Sequence, residues 1–489
     1  MSRSKEGASQ GSTTGSDFLQ LDIGQAPPGG RTEWLAERLR AAIADGTLPV
    51  GSRLPAGRAL AAELRVSRGL VTEAYQRLAE TGQVAGRGRG GTVVVAAPPG
   101  GTAPAPAPAP PPPPAVSRGG PVDALRAVPC RIDLSPGVPD LTAFPRTAWL
   151  QAERRVLSSL SPADFGYGDS QGAPALRAAV AGWLARNRGI RADPAEVIVV
   201  AGVAQALSLL AGVLPGQGVR RVAVEDPGSL GARRQLESAG LDTVPVPVDG
   251  AGLDVRALRA SGARAALLTP AHQFPAGVVL DGERRRDLLD WAAAGGLVIE
   301  DDYDAEHRYD RAPVPALRAL LPEGVCYAGS VSKLLAPALR LGWLLVPPRL
   351  REEVAAAKRN ADLGNPVLAQ LVLARLMESG ELERHLRFVR RRHRRRRDAM
   401  LRAVADRLPG ARVHGAAAGL HLMVTFDGAP FEDTDLAGAA LGLGVKTHPL
   451  SWHRVRPGPP GLVLGYAAGP AGEIEEGVAL LGRALRELA

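Results

Sequence analysis

The stretches "LVIEDDYD" (residues 297–304) and "VCYAGSVSK" (residues 325–333) decide how the larger part of this sequence folds. Each starts as a short apolar run and ends in polar or small residues, which is typical of a buried strand that delivers side chains to a sheet edge. Similar runs recur along the chain, and helix-like stretches such as "DGERRRDLLDWAAAGG" separate several of them: "VIVVAGV", "RVAVEDPG", "AALLTPAHQ" and "LGWLLVP". Strands that alternate with helices predict a mostly parallel α/β sheet.

The polar residues that close these runs are the candidate site. In such sheets ligands bind outside the carboxyl ends of the strands. One run delivers Asp301 and Tyr303, which lie two residues apart on a strand and therefore point to one side. The next run delivers Ser330, Ser332 and Lys333, behind apolar flanks that predict a buried ammonium group.

This set of side chains has the chemistry that pyridoxal 5′-phosphate requires. A lysine forms the Schiff base, a carboxylate keeps the pyridine nitrogen protonated, and a phenol contacts the ring hydroxyl. Serine hydroxyls and the guanidinium of Arg340 suit the phosphate. The loop in "AGVAQALSLLAGVL" leads into a helix whose first amides can bind the same phosphate, those of Val203, Ala204 and Gln205. Each residue alone could be a strand end, an ion pair or a helix cap, but together they predict a cofactor site.

The N-terminal part follows a different pattern. The amphipathic stretch "TEWLAERLRAAIADG" predicts a helix that ends at Gly46. Two shorter helices follow, joined by a turn in which Ser67 is the predicted N-cap. The stretch "QVAGRGRGGTVVV" then predicts a hairpin with a basic turn. A helix, a helix–turn–helix and a hairpin make the layout of a winged helix (α+β).

A winged helix of this kind suits DNA. The second helix of a helix–turn–helix enters the major groove with its N-terminal residues on the base edges, and the flanking basic groups contact phosphates. The alternative, a small helical adaptor with a solvated basic face, stays open at this point. The predicted DNA contacts lie at the start of both helices and at the wing tip: Arg58, Ser67, Arg68, Gly69, Thr72, Arg87 and Arg89.

The domain boundaries come from composition. Proline removes backbone donors and holds φ, so "PPGGTAPAPAPAPPPPPAVSRGGP" predicts a semi-rigid spacer instead of a helix or a central strand. The predicted organisation is a disordered N-terminus, a winged-helix domain, a Pro/Ala-rich linker and a large α/β domain, at residues 1–17, 18–97, 98–128 and 129–489.

Composition excludes several protein classes. No apolar run reaches the roughly 18 residues that a membrane span needs, and the N-terminus lacks the apolar stretch of a signal peptide. Two cysteines, Cys130 and Cys326, are too few for a disulfide framework or a metal cluster. A cytoplasmic protein is expected. The net charge of +9 is weak support for nucleic acid as a partner.

Residues 387–400, "RFVRRRHRRRRDAM", are typical of a nucleic-acid patch. They lie inside a long helical pattern whose apolar face includes Leu386, Val389, His393 and Met400. A solvated Arg-rich helix is the main interpretation, and a secondary DNA contact stays open. His272 and His421 are candidates to line the cofactor pocket, although a structural role is favoured for His421, and the other histidines lack metal-ligand spacing.

The motifs resemble known families. The pattern "G-x-L-x-x-G-x-x-L-P…R-x-L-A…V-S-R", followed by "A-Y-x-x-L-x-x-x-G", closely resembles the GntR-family winged helix. The large domain resembles fold-type I aminotransferases through "GYGDSQGAPALRAAVAGWL", "VEDPG", "TPAHQFPAGVVL", "IEDDYDAE" and "SVSKLLAPALRLGW". The combination resembles the MocR/GabR branch of regulators. The resemblance implies a homodimer that binds DNA, Lys333 as the Schiff-base lysine, Asp301 as the pyridinium partner and Tyr303 as the ring-hydroxyl contact. It also implies that Ser330, Ser332 and Arg340 bind phosphate.

This sequence also departs from that branch. The branch commonly has "PGYPGAR", whereas this chain has "PGSLGAR", so Ser229 cannot stack on the cofactor ring. Phe274 occupies the place where aminotransferases of this fold keep an asparagine. No arginine for an effector carboxylate can be assigned, and the regional candidates are Lys446, Arg454 and Arg456.

Three functions are compatible with these features. The leading one is a pyridoxal-phosphate-binding transcriptional regulator that senses an amine, an amino acid or the cofactor itself. The second is an active aminotransferase with a DNA-binding appendage. The third is a repressor whose large domain has lost the cofactor and only dimerises.

Overall fold

The computed structural model describes residues 21–86, 91–97, 121–309 and 314–488. The chain divides into two compact units, Met1–Ser117 and Arg118–Ala489. Two of the predicted DNA contacts, Arg87 and Arg89, lie outside the described residues. None of the described helices is long and apolar enough to cross a membrane.

The N-terminal unit is a winged helix, as predicted. Its apolar core joins all three helices and the hairpin, through residues such as Leu39, Leu60, Val71 and Val94. Ser67 caps the third helix, because its Oγ accepts a hydrogen bond from the Leu70 amide at 3.2 Å. The elements are α1 (Arg31–Ala44), α2 (Gly57–Glu63), α3 (Arg68–Glu80) and the antiparallel strands β1 (Val84–Gly86) and β2 (Thr92–Val94).

The C-terminal unit begins inside the stretch that composition assigns to the linker, where α4 spans Pro121–Ala127. Proline is well tolerated in the first turn of a helix, so the proline at residue 121 does not prevent this one. A short parallel pair follows, formed by β3 (Ile132–Asp133) and a later strand, β14 (Val445–Lys446).

The main sheet has eight strands and is mostly parallel, which confirms the predicted fold class. The order is β4-β11-β10-β9-β8-β5-β6-β7. The five strands from β10 to β6 in this order run parallel, whereas β11 is antiparallel to both of its neighbours and β7 is antiparallel to β6. The strands are β4 (Ile198–Val200), β5 (Arg221–Asp226), β6 (Asp242–Asp249), β7 (Gly252–Leu253), β8 (Ala265–Leu268), β9 (Leu297–Asp302), β10 (Val325–Ser330) and β11 (Gly342–Leu345).

Helices cover both faces of this sheet, which is why its central strands are apolar almost throughout. One face packs around Trp183 and Trp343, and the other packs around Leu210 and Ile299. The helices of this part are α5 (Arg146–Ser159), α6 (Pro174–Arg188), α7 (Val203–Val213), α8 (Leu230–Ser238), α9 (Val255–Ala260), α10 (Gly282–Ala293), α11 (Arg351–Asp362) and α12 (Val367–Glu378).

A smaller four-stranded antiparallel sheet forms the C-terminal part of this unit, in the order β12-β13-β16-β15. Three helices pack on it through a separate apolar core that includes Leu422, Val424 and Leu481. The elements are α13 (Glu381–Arg407), β12 (Ala411–His414), β13 (His421–Phe426), α14 (Asp433–Gly442), β15 (His448–Pro449), β16 (Gly461–Gly465) and α15 (Ala471–Leu488).

Candidate functional site

The two acidic residues at the carboxyl end of β9, Asp301 and Asp302, point to opposite faces of the sheet. Asp302 is held on the inner side, where Arg188 Nε donates to it at 2.6 Å and the Tyr327 hydroxyl donates to it at 2.5 Å. The side chains of Arg188 and Asp302 are each 1% exposed. Because alternate residues of a strand point to opposite sides, this anchor turns Asp301 toward the other face.

Asp301 presents an unsatisfied acceptor. Its Oδ1 is buried and has no hydrogen-bond partner among the described residues. Burial, together with the charges of Asp302 and Asp304, raises the pKa of this carboxyl to about 7, and Lys333 opposes the shift. A protonated pyridine nitrogen is a cationic donor that would both pair with this oxygen and stabilise its charge. The site therefore fits the cofactor that the sequence predicts.

Tyr303 lies in a network with two buried groups. Its hydroxyl is 3.1 Å from Nδ1 of His272, and that nitrogen is 2.9 Å from Oδ2 of Asp304. Phe274 packs edge-on against the Tyr303 ring with the centroids 6.2 Å apart. Burial and the charge of Asp304 raise the pKa of Tyr303 well above its usual value, so the phenol stays neutral and can donate.

The same network brings two histidines and a carboxylate together. Ligand atoms of His272, Asp304 and His421 lie within 4.8 Å of one another. His421 is buried and packs beside Phe274 at 5.0 Å. The three residues are far apart in sequence, so no local spacing could indicate the cluster. The contacts of His272 Nδ1 with Asp304 and Tyr303 explain part of the arrangement, whereas Nε2 of His272 and Nε2 of His421 are buried without a partner among the described residues.

Lys333 follows β10 directly and reaches the same space as Asp301. The pairing of β9 with β10 places Ala328 opposite Asp301, and the two side chains interact electrostatically. Nζ of Lys333 donates to the carbonyl oxygen of Gly137. Burial lowers the pKa of this ammonium, against the opposing charges of Asp304 and Asp301. A lowered pKa favours the neutral amine, which is the nucleophilic form.

Two serines and an arginine gather at the start of α7. Ser330 Oγ lies 2.8 Å from Ser332 Oγ. Arg340 adopts a left-handed backbone conformation with φ 51°, and its guanidinium donates to the carbonyl of Ala201. A Cβ added to Gly202, the N-cap of α7, would lie 3.4 Å from Nη1 of Arg340. The hydroxyls, the guanidinium and the helix N-terminus together suit a phosphate.

The sequence predicts that three amides in the first turn of α7 bind the phosphate, but in the structure they are not equally free to donate. The amide of Gln205 is already bonded to the Gly202 carbonyl at 3.1 Å. Its side chain accepts from the Ala201 amide at 2.7 Å and donates to Asp362 at 2.7 Å. The amides of Val203 and Ala204 have no intrahelical acceptor, as at the start of any helix. The amides of Val203 and Ala204 are therefore the better hydrogen-bond donors to an anion, and the side chain of Gln205 stabilises the turn.

The cavity beside Asp301 contains Ser229 and a residue that sequence reasoning missed. Ser229 caps α8, with its Oγ accepting from the Ala232 amide at 3.2 Å. Glu225 lines the same cavity and accepts hydrogen bonds from the Thr269 amide at 3.1 Å and hydroxyl at 2.7 Å. Burial raises the pKa of Glu225 to about 7. The signal available was the "VEDPG" motif, which ends a strand beside the site.

The three regional candidates for an effector carboxylate have partners elsewhere. Lys446 is buried 3.9 Å from Asp133. Arg454 donates to the Pro459 carbonyl, and Arg456 donates to the Pro245 carbonyl at 3.2 Å. These contacts do not bring any of the three to Lys333, so the carboxylate ligand of this site stays unassigned.

The start of α3 presents the predicted DNA contacts on an exposed surface. Arg68 and Gly69 are exposed there, as is Arg58 on α2. The hydroxyl of Thr72 is exposed but donates to the Arg68 carbonyl at 2.9 Å. The exposed Arg53 was missed by sequence reasoning, although its side chain lies beside Gly91, the residue before β2, at 3.5 Å from the position that a Cβ would take there. Its position in a loop before α2 gave no helical signal.

Comparisons with known proteins match each of the two units of the chain to a protein family. Residues 31–94 match the gntR family of bacterial regulatory proteins, and residues 131–477 match aminotransferase class I and II. The probable rhizopine catabolism regulatory protein MocR of Rhizobium meliloti is 35% identical over 91% of both chains. The pyridoxine biosynthesis transcriptional regulator PdxR of Corynebacterium glutamicum is 36% identical over 80% of this chain and 83% of its own.

Solved structures give the same assignment for the large domain. The α-aminoadipate aminotransferase LysN of Thermus thermophilus, complexed with a phosphopyridoxyl-leucine, is 29% identical with a TM-score of 0.69, over 76% of this chain and 95% of that one. The kynurenine aminotransferase of Pyrococcus horikoshii is 26% identical with a TM-score of 0.68, over 75% and 93%. The chain belongs to the MocR-type transcriptional regulators, in which a GntR-family winged helix precedes an aminotransferase class I and II domain.

Proposed function

We propose that this regulator holds pyridoxal 5′-phosphate on Lys333 and that an amine, an amino acid or the cofactor itself controls its binding to operator DNA. The observation that carries the proposal is the buried Oδ1 of Asp301, which has no partner among the described residues. An unpaired buried acceptor costs about 1–3 kcal/mol. A ring nitrogen that carries a proton supplies the missing donor.

The surrounding residues divide the remaining tasks of binding. Lys333, with its lowered pKa, supplies the amine for covalent attachment. Ser330, Ser332, Arg340 and the first amides of α7 hold the phosphate. Tyr303 stays protonated and donates toward the ring hydroxyl, while His272 and Asp304 fix its hydroxyl in place. When bound, the cofactor supplies an electrophilic carbon that exchanges amines.

Regulation follows if ligand binding changes the shape of the large domain. A ligand can shift the equilibrium between two shapes only by its differential affinity for them. We propose that the chain works as a homodimer on paired half-sites, with the winged helix (residues 18–97) connected to the sensing domain (residues 129–489) through residues 98–128. The DNA contacts in each protomer would be Arg58, Ser67, Arg68, Gly69 and Thr72, together with Arg87 and Arg89, which the sequence predicts and which lie outside the described residues.

The test is a spectral titration of the purified full chain with pyridoxal phosphate, followed by a panel of amines and amino acids. We expect a visible absorbance from the attached cofactor, and we expect it to shift with one amine class. DNA binding, measured in parallel by fluorescence anisotropy on promoter fragments, should change with the same ligand. Lys333→Ala should lose the absorbance and the response to ligand.

Three outcomes would contradict parts of the proposal. Absence of the absorbance in the parent chain would favour a domain that only dimerises. Sustained conversion of an amino acid to its keto acid with an oxo-acid acceptor would favour the aminotransferase. Unchanged operator affinity for Arg68→Ala, where about 1–3 kcal/mol is expected for a base contact, would contradict the docking of α3.

A further inference from the structure

The Arg-rich helix α13 has an inner face that packs into the large domain. Leu386, Val389, His393 and Met400 are all buried there, which confirms the apolar face predicted from the sequence. Several arginines of the helix also have partners in the large domain: Arg392 and Arg396 reach Asp140 at 2.7 and 3.0 Å, and Arg397 donates to the Ala416 carbonyl at 3.1 Å. Packing and ion pairing explain these residues.

The outer face of the same helix has no such explanation. It presents exposed arginines that make no hydrogen bond or ion pair within the part of the chain that the structure describes. At 3.6 residues per turn they fall within an arc of about 100°, over a length of about 22 Å. We call them the outer arginine row: Arg387, Arg391, Arg394, Arg395 and Arg402.

The row carries five positive charges, none of which forms an ion pair within the described residues. Like charges three and four residues apart on a helix repel each other, and such pairs occur between Arg387 and Arg391, between Arg391 and Arg394, and between Arg391 and Arg395. Asp398 on this face already accepts from Arg397, and the exposed Asp406, four residues after Arg402, forms no ion pair within the described residues. An external polyanion would relieve the repulsion.

A nucleic-acid backbone matches the row in charge and in length. Phosphates of one DNA strand follow each other every 3.4 Å along the helix axis, so about 22 Å spans about six of them. Arginine also matches phosphate geometry through its planar fork. The chain carries a GntR-family DNA-binding domain, so duplex DNA is the polyanion that it meets as a regulator.

We propose that the outer arginine row of α13 is a second DNA-binding surface, which contacts the phosphate backbone independently of base sequence. The proposal rests on DNA binding by this chain and goes beyond the function of the winged helix. The row would raise affinity for long duplexes and leave sequence selection to α3, because backbone contacts position a protein but carry no sequence information directly.

The experiment compares two quadruple variants of the full chain that change charge equally. The row variant is Arg387→Gln/Arg391→Gln/Arg394→Gln/Arg395→Gln. The control variant replaces exposed arginines that also lack described partners, as Arg191→Gln/Arg234→Gln/Arg256→Gln/Arg286→Gln. Affinity for a random-sequence duplex of about 60 base pairs is measured by fluorescence anisotropy over a range of salt, because each phosphate contact adds about 0.9 to the logarithmic slope.

For the row variant, we expect the slope of log affinity against log salt concentration to be smaller in magnitude by about 2–4. We also expect its affinity at moderate salt to be at least tenfold weaker than that of the parent chain. The control variant should stay within about twofold of the parent chain, because diffuse charge makes no fixed phosphate contact. The same difference should persist in an Arg68→Ala background, because the row acts without α3.

Equal slopes for the row and control variants, with the parent still binding DNA, would overturn the proposal and leave the regulator function intact. Absence of DNA binding by the parent chain at low salt would instead overturn both. Analytical ultracentrifugation of the three proteins adds one further outcome. If only the row variant changes its oligomeric state while its DNA binding matches the control, the row is a contact between copies of the chain, and the proposal is wrong.

Discussion

The turn after β10 and the C-terminal half of α11 each carry a lysine that is at least partly buried, and the partners of the two ammonium groups differ. Lys358 in α11 is fully buried, and its ammonium donates to both carboxylate oxygens of Asp362 at 2.6 Å and to Asn365 at 2.7 Å. Lys333 donates to a single carbonyl, that of Gly137. Burial lowers the pKa of both ammonium groups.

The difference separates a structural lysine from a chemical one. An ammonium has three donors, and those of Lys358 have fixed acceptors in a charged pair. Lys333 lacks a bonded carboxylate among the described residues, so its amine can be released for reaction. The two regions are also connected, because Asp362 accepts from the side chain of Gln205, which clamps the first turn of α7. The structural lysine therefore supports the phosphate end of the candidate site.

Lys333→Ala is expected to have the largest effect. It should abolish covalent attachment of pyridoxal phosphate, because no other described amine interacts with Asp301. The free energy of unfolding in the absence of cofactor should change little, because the substitution removes a single hydrogen bond, the one that Lys333 donates to the Gly137 carbonyl. The measurements are visible absorbance and chemical denaturation. Retention of the absorbance in this variant would place the attachment elsewhere.

Lys358→Met should show the converse pattern. The change removes the ammonium from Asp362, whose side chain is 27% exposed and keeps its hydrogen bond from Gln205, so it should cost about 1.5–3 kcal/mol of unfolding free energy. The cofactor absorbance should still form, although phosphate affinity should fall because Asp362 loses the ammonium that holds it beside Gln205. Lys333→Met is the matched control in both measurements. Loss of the absorbance in Lys358→Met at saturating cofactor would contradict the separation of roles.

Much of the candidate site could be predicted because its residues follow strands that are neighbours in the sheet. Asp301 and Tyr303 close β9, and Ser330, Ser332 and Lys333 close β10, so proximity follows from parallel pairing alone. The winged helix could be predicted for a related reason. Its proposed contacts lie on consecutive elements, and the cap at Ser67 is a local signal.

The remaining contacts join segments that no local pattern connects. Gly137 reaches Lys333 across 196 residues, and Arg188 reaches Asp302 across 114 residues. The pairing of His272 with Asp304 depends on how two strand ends approach each other. Helix α4 was missed because proline-rich composition hides a helix that begins with proline. Periodicity describes one element at a time, whereas these contacts depend on packing between elements.

His393→Leu tests a buried histidine on α13, and the expected change in stability is smaller. Both ring nitrogens of His393 lack partners among the described residues, and burial lowers its pKa to about 2, with His307 contributing. The unfolded chain titrates near pH 6.5, so this residue contributes full stability above that pH and loses it progressively as the pH falls. The advantage of the variant should therefore grow by about 2 kcal/mol from pH 7.5 to pH 5.

Denaturation at the two pH values measures this change. Buried carboxyls such as Glu300 shift the curves in the opposite direction, with a pKa raised to about 7, but they are common to both proteins and cancel in the difference. His414→Leu is a graded control: burial lowers the pKa of the half-buried His414 as well, but it keeps a partner in Thr425 at 3.0 Å, so its variant should show a smaller change in the same direction. Parallel pH curves for the parent and His393→Leu would show that this histidine is protonated in the folded protein.

Ser229→Tyr is expected to have the smallest effect, and it tests whether the face of the cofactor ring beside Ser229 is left uncovered. A phenol at this position can stack on the ring, which is worth about 0.5–1.5 kcal/mol, so affinity for pyridoxal phosphate should rise several-fold. The same change removes the cap of α8 and should cost about 1 kcal/mol of stability. Ser229→Ala removes the cap without adding a ring and is the matched control. If Ser229→Tyr binds the cofactor no better than Ser229→Ala, another group already covers that face of the ring, and the serine is kept for the helix it caps.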